Sequence, residues 1–222
     1  MEKKAAILDL IPRQGILPLY FHKDKEVSVE VLRALYTAGI RAVEYTNRGE
    51  EALDNFKAMR SVCDSDMKDM YLGAGTIKSA AMAEDFINAG ADFIISPGLA
   101  PLVAEVSDRS HILWIPGCMT PTEIMQAEVL GAQMVKIFPG NVLGLGFVSA
   151  VREIFPGILF MPTGGVELDR ENIADWFRAG VSAVGMGSKL ISKQLMDARD
   201  YAQIAAATSD ALAIIASLKT NA

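Results

Sequence analysis

Two ionisable residues stand where a buried strand should carry only apolar ones. Lys136 lies in Met134-Val135-Lys136-Ile137-Phe138-Pro139 and Glu44 in Ala42-Val43-Glu44-Tyr45-Thr46. Burying either charge unpaired would cost on the order of several kcal/mol. A lysine amine is nucleophilic only when neutral, and burial and a neighbouring cation both favour that form. Arg48, just beyond Glu44, is such a cation, whereas Glu44 itself favours the charged lysine. A secluded lysine beside a carboxyl group suits imine chemistry on a ketone. The lysine attacks the carbonyl, the glutamate shuttles protons, and an arginine holds a substrate carboxylate through a bidentate contact. The competing readings are a buried salt bridge that only braces the fold and a solvated loop arginine. Lys78 and Lys189 lie beyond their strands and are read as solvated.

Glycines mark a second kind of chemistry. Pro162-Thr163-Gly164-Gly165 and Gly187-Ser188 each follow an apolar run, where backbone N–H groups can approach an anion. Gly73-Ala74-Gly75-Thr76 lacks the third glycine of a dinucleotide loop. Its small residues are read as leaving room for a ligand, with the Thr76 hydroxyl as a donor. Ser96-Pro97-Gly98 and Pro116-Gly117-Cys118 are expected to be turns lining the same mouth.

These residues need a scaffold, and the chain's alternation supplies one. Expected strands are 16–21, 42–46, 71–76, 93–97, 113–118, 134–139, 159–163 and 183–188, each short and apolar like a strand buried on both faces. Helical patterns lie between them, at 28–38, 50–62, 80–89, 122–130, 146–154 and 172–179. Ala38-Gly39, Ala89-Gly90, Leu130-Gly131 and Ala179-Gly180 repeat at helix ends, where glycine suits the left-handed C′ position. The same offset past each glycine falls on Glu44, Ile95, Lys136 and Gly185. Equal offsets predict one interior layer, with Glu44 facing Lys136 and Gly185 leaving empty space beside them. Alternating units of this number predict an α/β fold, a (β/α)8 TIM barrel with an N-terminal helix, as one domain over residues 1–222. In that fold the loops after the seventh and eighth strands commonly bind phosphate. The alanine-rich stretch 201–218 is expected to be a helix that closes the barrel bottom or meets a neighbour.

Composition narrows the partners. The net charge of −6, with 21 basic and 27 acidic residues, and the lack of a basic block argue against nucleic acid. Two histidines, His22 and His111, without metal-ligand spacing make a histidine-based zinc site improbable. Cys63 and Cys118 form no CxxC pair and read as buried free thiols. No signal sequence is evident, and no apolar run reads as long enough to span a bilayer, so a cytoplasmic protein without membrane contact is expected.

The ordered set VEYTNRGE, GAGT, FIISPGL, WIPGCMTPTE, VKIFP, PTGGV and GMGSKL resembles the family of 2-keto-3-deoxy-6-phosphogluconate and 4-hydroxy-2-oxoglutarate aldolases, over roughly residues 15 to 192. The resemblance implies a homotrimeric class I aldolase that releases pyruvate from a 2-keto-3-deoxy sugar acid. It implies no metal and no cofactor beyond a covalent imine on Lys136, with Glu44 as acid and base. It places pyruvate recognition at Arg48 and Thr76, with Pro97 and Phe138 lining the pocket and Thr163 on the substrate side. Gly164, Gly165, Gly187 and Ser188 take the phosphate. The chain departs from the family pattern in Ile137-Phe138-Pro139-Gly140-Asn141, in Phe21-His22-Lys23 and at Met186. Those departures bear on which sugar acid is cleaved. The alternatives are a phosphosugar isomerase or epimerase and a sugar-acid binder without catalysis; neither explains a lysine and a glutamate in one layer.

Overall fold

The computed structural model describes residues 2–220. Nine short strands and ten helices alternate along them. The strands are β1 (Ile16–Tyr20), β2 (Ala42–Thr46), β3 (Tyr71–Gly75), β4 (Phe93–Ile95), β5 (Leu113–Ile115), β6 (Gly117–Cys118), β7 (Met134–Ile137), β8 (Leu159–Pro162) and β9 (Val184–Met186). All pairings are parallel. One ladder runs β5-β4-β3-β2-β1-β9 and a second β6-β7-β8. The result is a curled parallel sheet with helices packed on it.

Where one strand was expected over 113–118, there are two. Pro116 separates β5 from β6, because it has no N–H to give a ladder. Its carbonyl still accepts the Lys136 N–H at 2.8 Å. The expected turn at Pro116-Gly117-Cys118 is therefore half strand.

The helices are α1 (Glu2–Gln14), α2 (Lys25–Thr37), α3 (Ala52–Asp66), α4 (Ala80–Asn88), α5 (Pro101–Arg109), α6 (Pro121–Val129), α7 (Gly140–Ile154), α8 (Arg170–Ala179), α9 (Lys193–Asp197) and α10 (Tyr201–Thr220). Their starts carry side-chain caps: Asp24 on α2, Ser79 on α4, Asp169 on α8, and a Thr120–Glu123 capping box on α6. Gly39, Gly90, Gly131 and Gly180 take φ of 107°, 91°, 82° and 98°, so the repeated dipeptide does stop four helices in the left-handed region. α7 begins at Gly140, earlier than its periodicity suggests. Gly144, at φ 71° and ψ −178°, breaks the helix and hides the first turn from the pattern.

Strand alternation sorts the core into two parts. Val43, Tyr45, Val135, Ile137, Phe160 and Val184 face the helices. Leu17, Ala42, Phe93, Ile95, Leu113, Ile115, Met134, Met161 and Ala183 pack together on the inner face. Ile7 and Ile11 of α1 join this inner cluster and are fully buried. One end of the sheet is thus plugged by the N-terminal helix.

α10 does not close that end. It packs along α2, α8 and β1, burying Ile204, Thr208, Ala211 and Ile215 as one stripe. Its segment Tyr201–Lys219 is long and apolar enough to cross a membrane by length and composition, which corrects the expectation that no run would be. The buried stripe and the Lys219 hydrogen bonds to the carbonyls of Pro12 and Arg13 tie this helix to the domain.

A polar tie joins α1, α3 and β3. Asp92 is 4% exposed and accepts from the Leu72 N–H at 2.7 Å and from Arg60 Nη1 at 2.8 Å, and Lys3 pairs with its other oxygen. Asp92→Ala leaves the buried Leu72 N–H without a partner and takes from the mostly buried Arg60 guanidinium one of its two carboxylates, the other being Asp64. The expected loss of stability is about 1–3 kcal/mol. Urea unfolding should show it as a lower midpoint at unchanged slope.

Candidate active site

The strand period that builds the inner cluster also places its two charges. Ala42 and Met134 point inward, so Glu44 and Lys136, two residues on, do the same. The two meet across the sheet: Lys136 Nζ sits 3.4 Å from both Oε1 and Oε2 of Glu44. Lys136 is 5% exposed and Glu44 1%. The amine also lies 5.5 Å from the centre of the Phe138 ring.

Glycines around the pair are set by contact rather than by empty space. A Cβ on Gly75 would lie 1.9 Å from Glu44 Oε1. One on Gly185 would lie 2.2 Å from Thr163 Oγ1, so the room expected beside Gly185 is filled by the threonine. Gly73 gives its space to the Phe93 ring in the same way. The Thr163 hydroxyl is buried and has no hydrogen-bond partner among the described residues. Thr163 lines a cleft, with the hydrogen-bonding capacity of this hydroxyl unused by the described residues.

That cleft, of about 430 Å³, lies near the pair; Phe138, Thr163 and Gly185 line it, but Lys136 and Glu44 themselves do not. Phe138, Thr163, Gly164, Gly165, Gly187 and Ser188 all line it, together with Arg48. Arg48 is exposed, and no ion pair to its guanidinium exists among the described residues. Thr76 and Pro97 are not in this wall, because they follow β3 and β4, which do not reach it. Both still touch the neighbourhood of the pair. Thr76, at φ 61°, follows the Gly75 that Glu44 packs on, and the Pro97 carbonyl abuts Gly117, the register partner of Lys136. A β-branched residue in the left-handed region is a local strain of the kind that collects at functional sites.

The loop after β8 is pinned from α8. Asn172 Oδ1 accepts the Glu167 N–H at 2.9 Å, and Trp176 Nε1 donates to the Gly165 carbonyl at 3.3 Å. The cleft also has apolar lining residues, among them Leu19, Phe21, Ile191 and Met196. Sequence reasoning assigned none of these four. It also missed Glu167, and it left Lys189 as a solvated lysine. Lys189 is exposed, but it lines the cleft and pairs with Glu167 at 2.9 Å. Position alone was a usable signal, since each lies two residues past an assigned residue, Gly165 or Gly187.

The thiols play no part here. Burial pushes Cys63 up to about 11 and Cys118 up to about 12, so both stay neutral near pH 7.

A secluded amine against a carboxyl group, with a free guanidinium at the mouth, is what carbon–carbon lyases of the imine-forming class require. The KDPG and KHG aldolase family model matches residues 7–207. The 2-dehydro-3-deoxy-phosphogluconate aldolase of Treponema pallidum (strain Nichols) is 34% identical over 211 residues, covering 94% of this chain and 97% of its own. The KHG/KDPG aldolase of Escherichia coli (strain K12) is 30% identical, covering 90% and 92%. Among solved structures, KDPG aldolase from Legionella pneumophila, with pyruvate captured as a covalent carbinolamine intermediate, superposes with a TM-score of 0.82 at 26% identity, covering 93% and 96%. The chain belongs to the KDPG and KHG aldolase family, and it is a class I aldolase, a lyase that works through a lysine imine without a metal. The isomerase and pure-binder readings give way to this.

Gly75→Ala tests whether the glutamate's position matters. The added methyl must displace the Glu44 carboxylate, and the expected result is a folded protein with at least ~10²-fold lower turnover, the range for a lost general acid or base. Circular dichroism and a pyruvate-release assay on the same sample would separate folding from function.

Proposed function

We propose that this aldolase cleaves 2-keto-3-deoxy-6-phosphogluconate, 4-hydroxy-2-oxoglutarate or both, giving pyruvate and glyceraldehyde 3-phosphate or glyoxylate. The observation that carries the residue assignment is the 3.4 Å approach of Lys136 Nζ to both oxygens of Glu44 in a buried setting. Glu44 takes a proton from the Lys136 ammonium, and the neutral amine attacks the ketone carbon of the bound 2-keto acid. Glu44 relays a proton from the new C–N nitrogen to the former carbonyl oxygen, which leaves a neutral carbinolamine and Glu44 protonated. Glu44 protonates the departing hydroxyl of the carbinolamine, and water leaves an iminium. Glu44, now a carboxylate, takes the proton from the C4 hydroxyl. The C3–C4 bond breaks, its electron pair passes into the iminium as an enamine, and the aldehyde departs. Protonation at C3 and hydrolysis release pyruvate and the free amine.

Arg48 holds the substrate carboxylate, and the partnerless Thr163 hydroxyl hydrogen-bonds the substrate. Phe138 shields the imine from water. Thr76 and Pro97 bound the pair on the β3 and β4 side. Gly164, Gly165, Gly187 and Ser188 cradle a phosphate with backbone N–H groups and a hydroxyl.

Closure of the sheet into a (β/α)8 barrel belongs to the same reading. Three features support it: β5 and β6 are one strand interrupted by Pro116, Thr163 bridges Gly185, and the Ser182 N–H donates to the Phe160 carbonyl. A single domain, a cytoplasmic setting and a homotrimer complete the proposal. Exposed Leu102, Met125 and Val129 on α5 and α6 are apolar side chains of the kind that a subunit contact covers.

Lys136→Ala should abolish pyruvate release from both substrates with the fold retained. Glu44→Gln should lower kcat by ~10²–10⁴-fold. A Lys136→Ala protein with wild-type turnover would overturn the assignment, and a loss under tenfold in Glu44→Gln would leave the glutamate a structural role.

A further inference from the structure

The cleft carries an acid where an anion is expected to bind. Glu167 follows Val166 on the loop after β8, and Lys189 follows Ser188 on the loop after β9. Both line the cleft beside Gly164, Gly165, Gly187 and Ser188. Their side chains pair at 2.9 Å, closing the gap between the two loops. Each is about half exposed, 46% for Glu167 and 57% for Lys189, so the pair is solvent-screened and easily parted.

The remaining charges on the cleft wall make this pair decisive. Arg48 stands across from these loops, after β2, and is committed to the substrate carboxylate in the reading above. Lys193 is paired with Asp197 on its own helix. The apolar lining residues Leu19, Phe21, Ile191 and Met196 add no charge. Lys189 is thus the cation that directly follows the Gly187-Ser188 part of the cradle, and Glu167 holds it.

We propose that Glu167 is a specificity-determining residue, which sets how strongly the cleft prefers a substrate with a phosphorylated tail over one with an unphosphorylated tail. The inference rests on the phosphate cradle of the proposed function. A phosphate dianion must take Lys189 from Glu167 and then lie near the freed carboxylate. An unphosphorylated tail meets neither cost. Glu167 therefore handicaps phosphorylated substrates and keeps the site open to both kinds. Glutamine at that position keeps the size and a hydrogen bond to Lys189 but removes the repulsion.

The test compares wild type, Glu167→Gln and Lys189→Met on 2-keto-3-deoxy-6-phosphogluconate and on 4-hydroxy-2-oxoglutarate. A second measurement is inhibition of 4-hydroxy-2-oxoglutarate cleavage by inorganic phosphate. In Glu167→Gln the kcat/KM ratio of phosphorylated to unphosphorylated substrate should rise about fivefold, mainly through KM, and phosphate should inhibit more strongly by a similar factor. In Lys189→Met both readouts should move the other way. The effects should shrink as salt is raised. A ratio and a phosphate inhibition constant unchanged in Glu167→Gln would overturn the inference while leaving the Lys136 chemistry in place. Failure of wild type to release pyruvate from either substrate would instead overturn the proposed function itself.

Discussion

A buried amine and a buried carboxyl group within 3.4 Å of each other are the constraint around which the cleft end of this molecule is arranged. Such a pair is a poor way to gain stability, since desolvation consumes most of the attraction and apolar residues of similar size often serve better. Its retention here makes sense as chemistry. In the proposed reaction the carboxyl group, already beside the amine, is in place for each proton transfer. Hence the fitted surroundings: Gly75 withdraws its side chain for Glu44, and Gly185 does so for Thr163. The guanidinium of Arg48 lines the cleft, and the proposed reaction gives it the substrate carboxylate.

The rest of the fold separates this polar end from an apolar one. The inner face is filled from the α1 end by Ile7, Ile11, Ala42 and Met134, and Glu44 and Lys136 come one strand repeat above Ala42 and Met134. Ile7 and Ile11 of α1 are fully buried at that end. Access is from the cleft side, where loops after β1, β2, β7, β8 and β9 converge. The same parallel register that lines up these loops also puts their polar residues on one rim. Stability lies elsewhere, in the helix-facing core and in ties such as Asp92 with Arg60.

Much of this was legible in the sequence because it is local and periodic. A charged residue inside a short apolar run is visible without a structure, and so is a glycine that stops a helix. The common offset from those glycines was enough to bring Glu44 and Lys136 into one layer. What escaped was non-local or interrupted. The break at Pro116 has a clear cause, yet an apolar run on either side masked it. The first turn of α7 was lost because Gly144 spoils the helical period. Filling of the Gly185 space by Thr163 depends on a contact between strands. The Glu167–Lys189 pair joins two loops that are distant in the chain, and no spacing rule reports it. The place of α10, on the outside rather than at the end, depends on which neighbours its buried stripe meets.

The central claim is that the Lys136 amine is the one that captures the ketone. Wild-type protein incubated with pyruvate and reduced with borohydride should gain one stable adduct, and peptide mapping by mass spectrometry should place it on Lys136. An adduct on another lysine, or none at saturating pyruvate, would contradict the account and leave only the architecture.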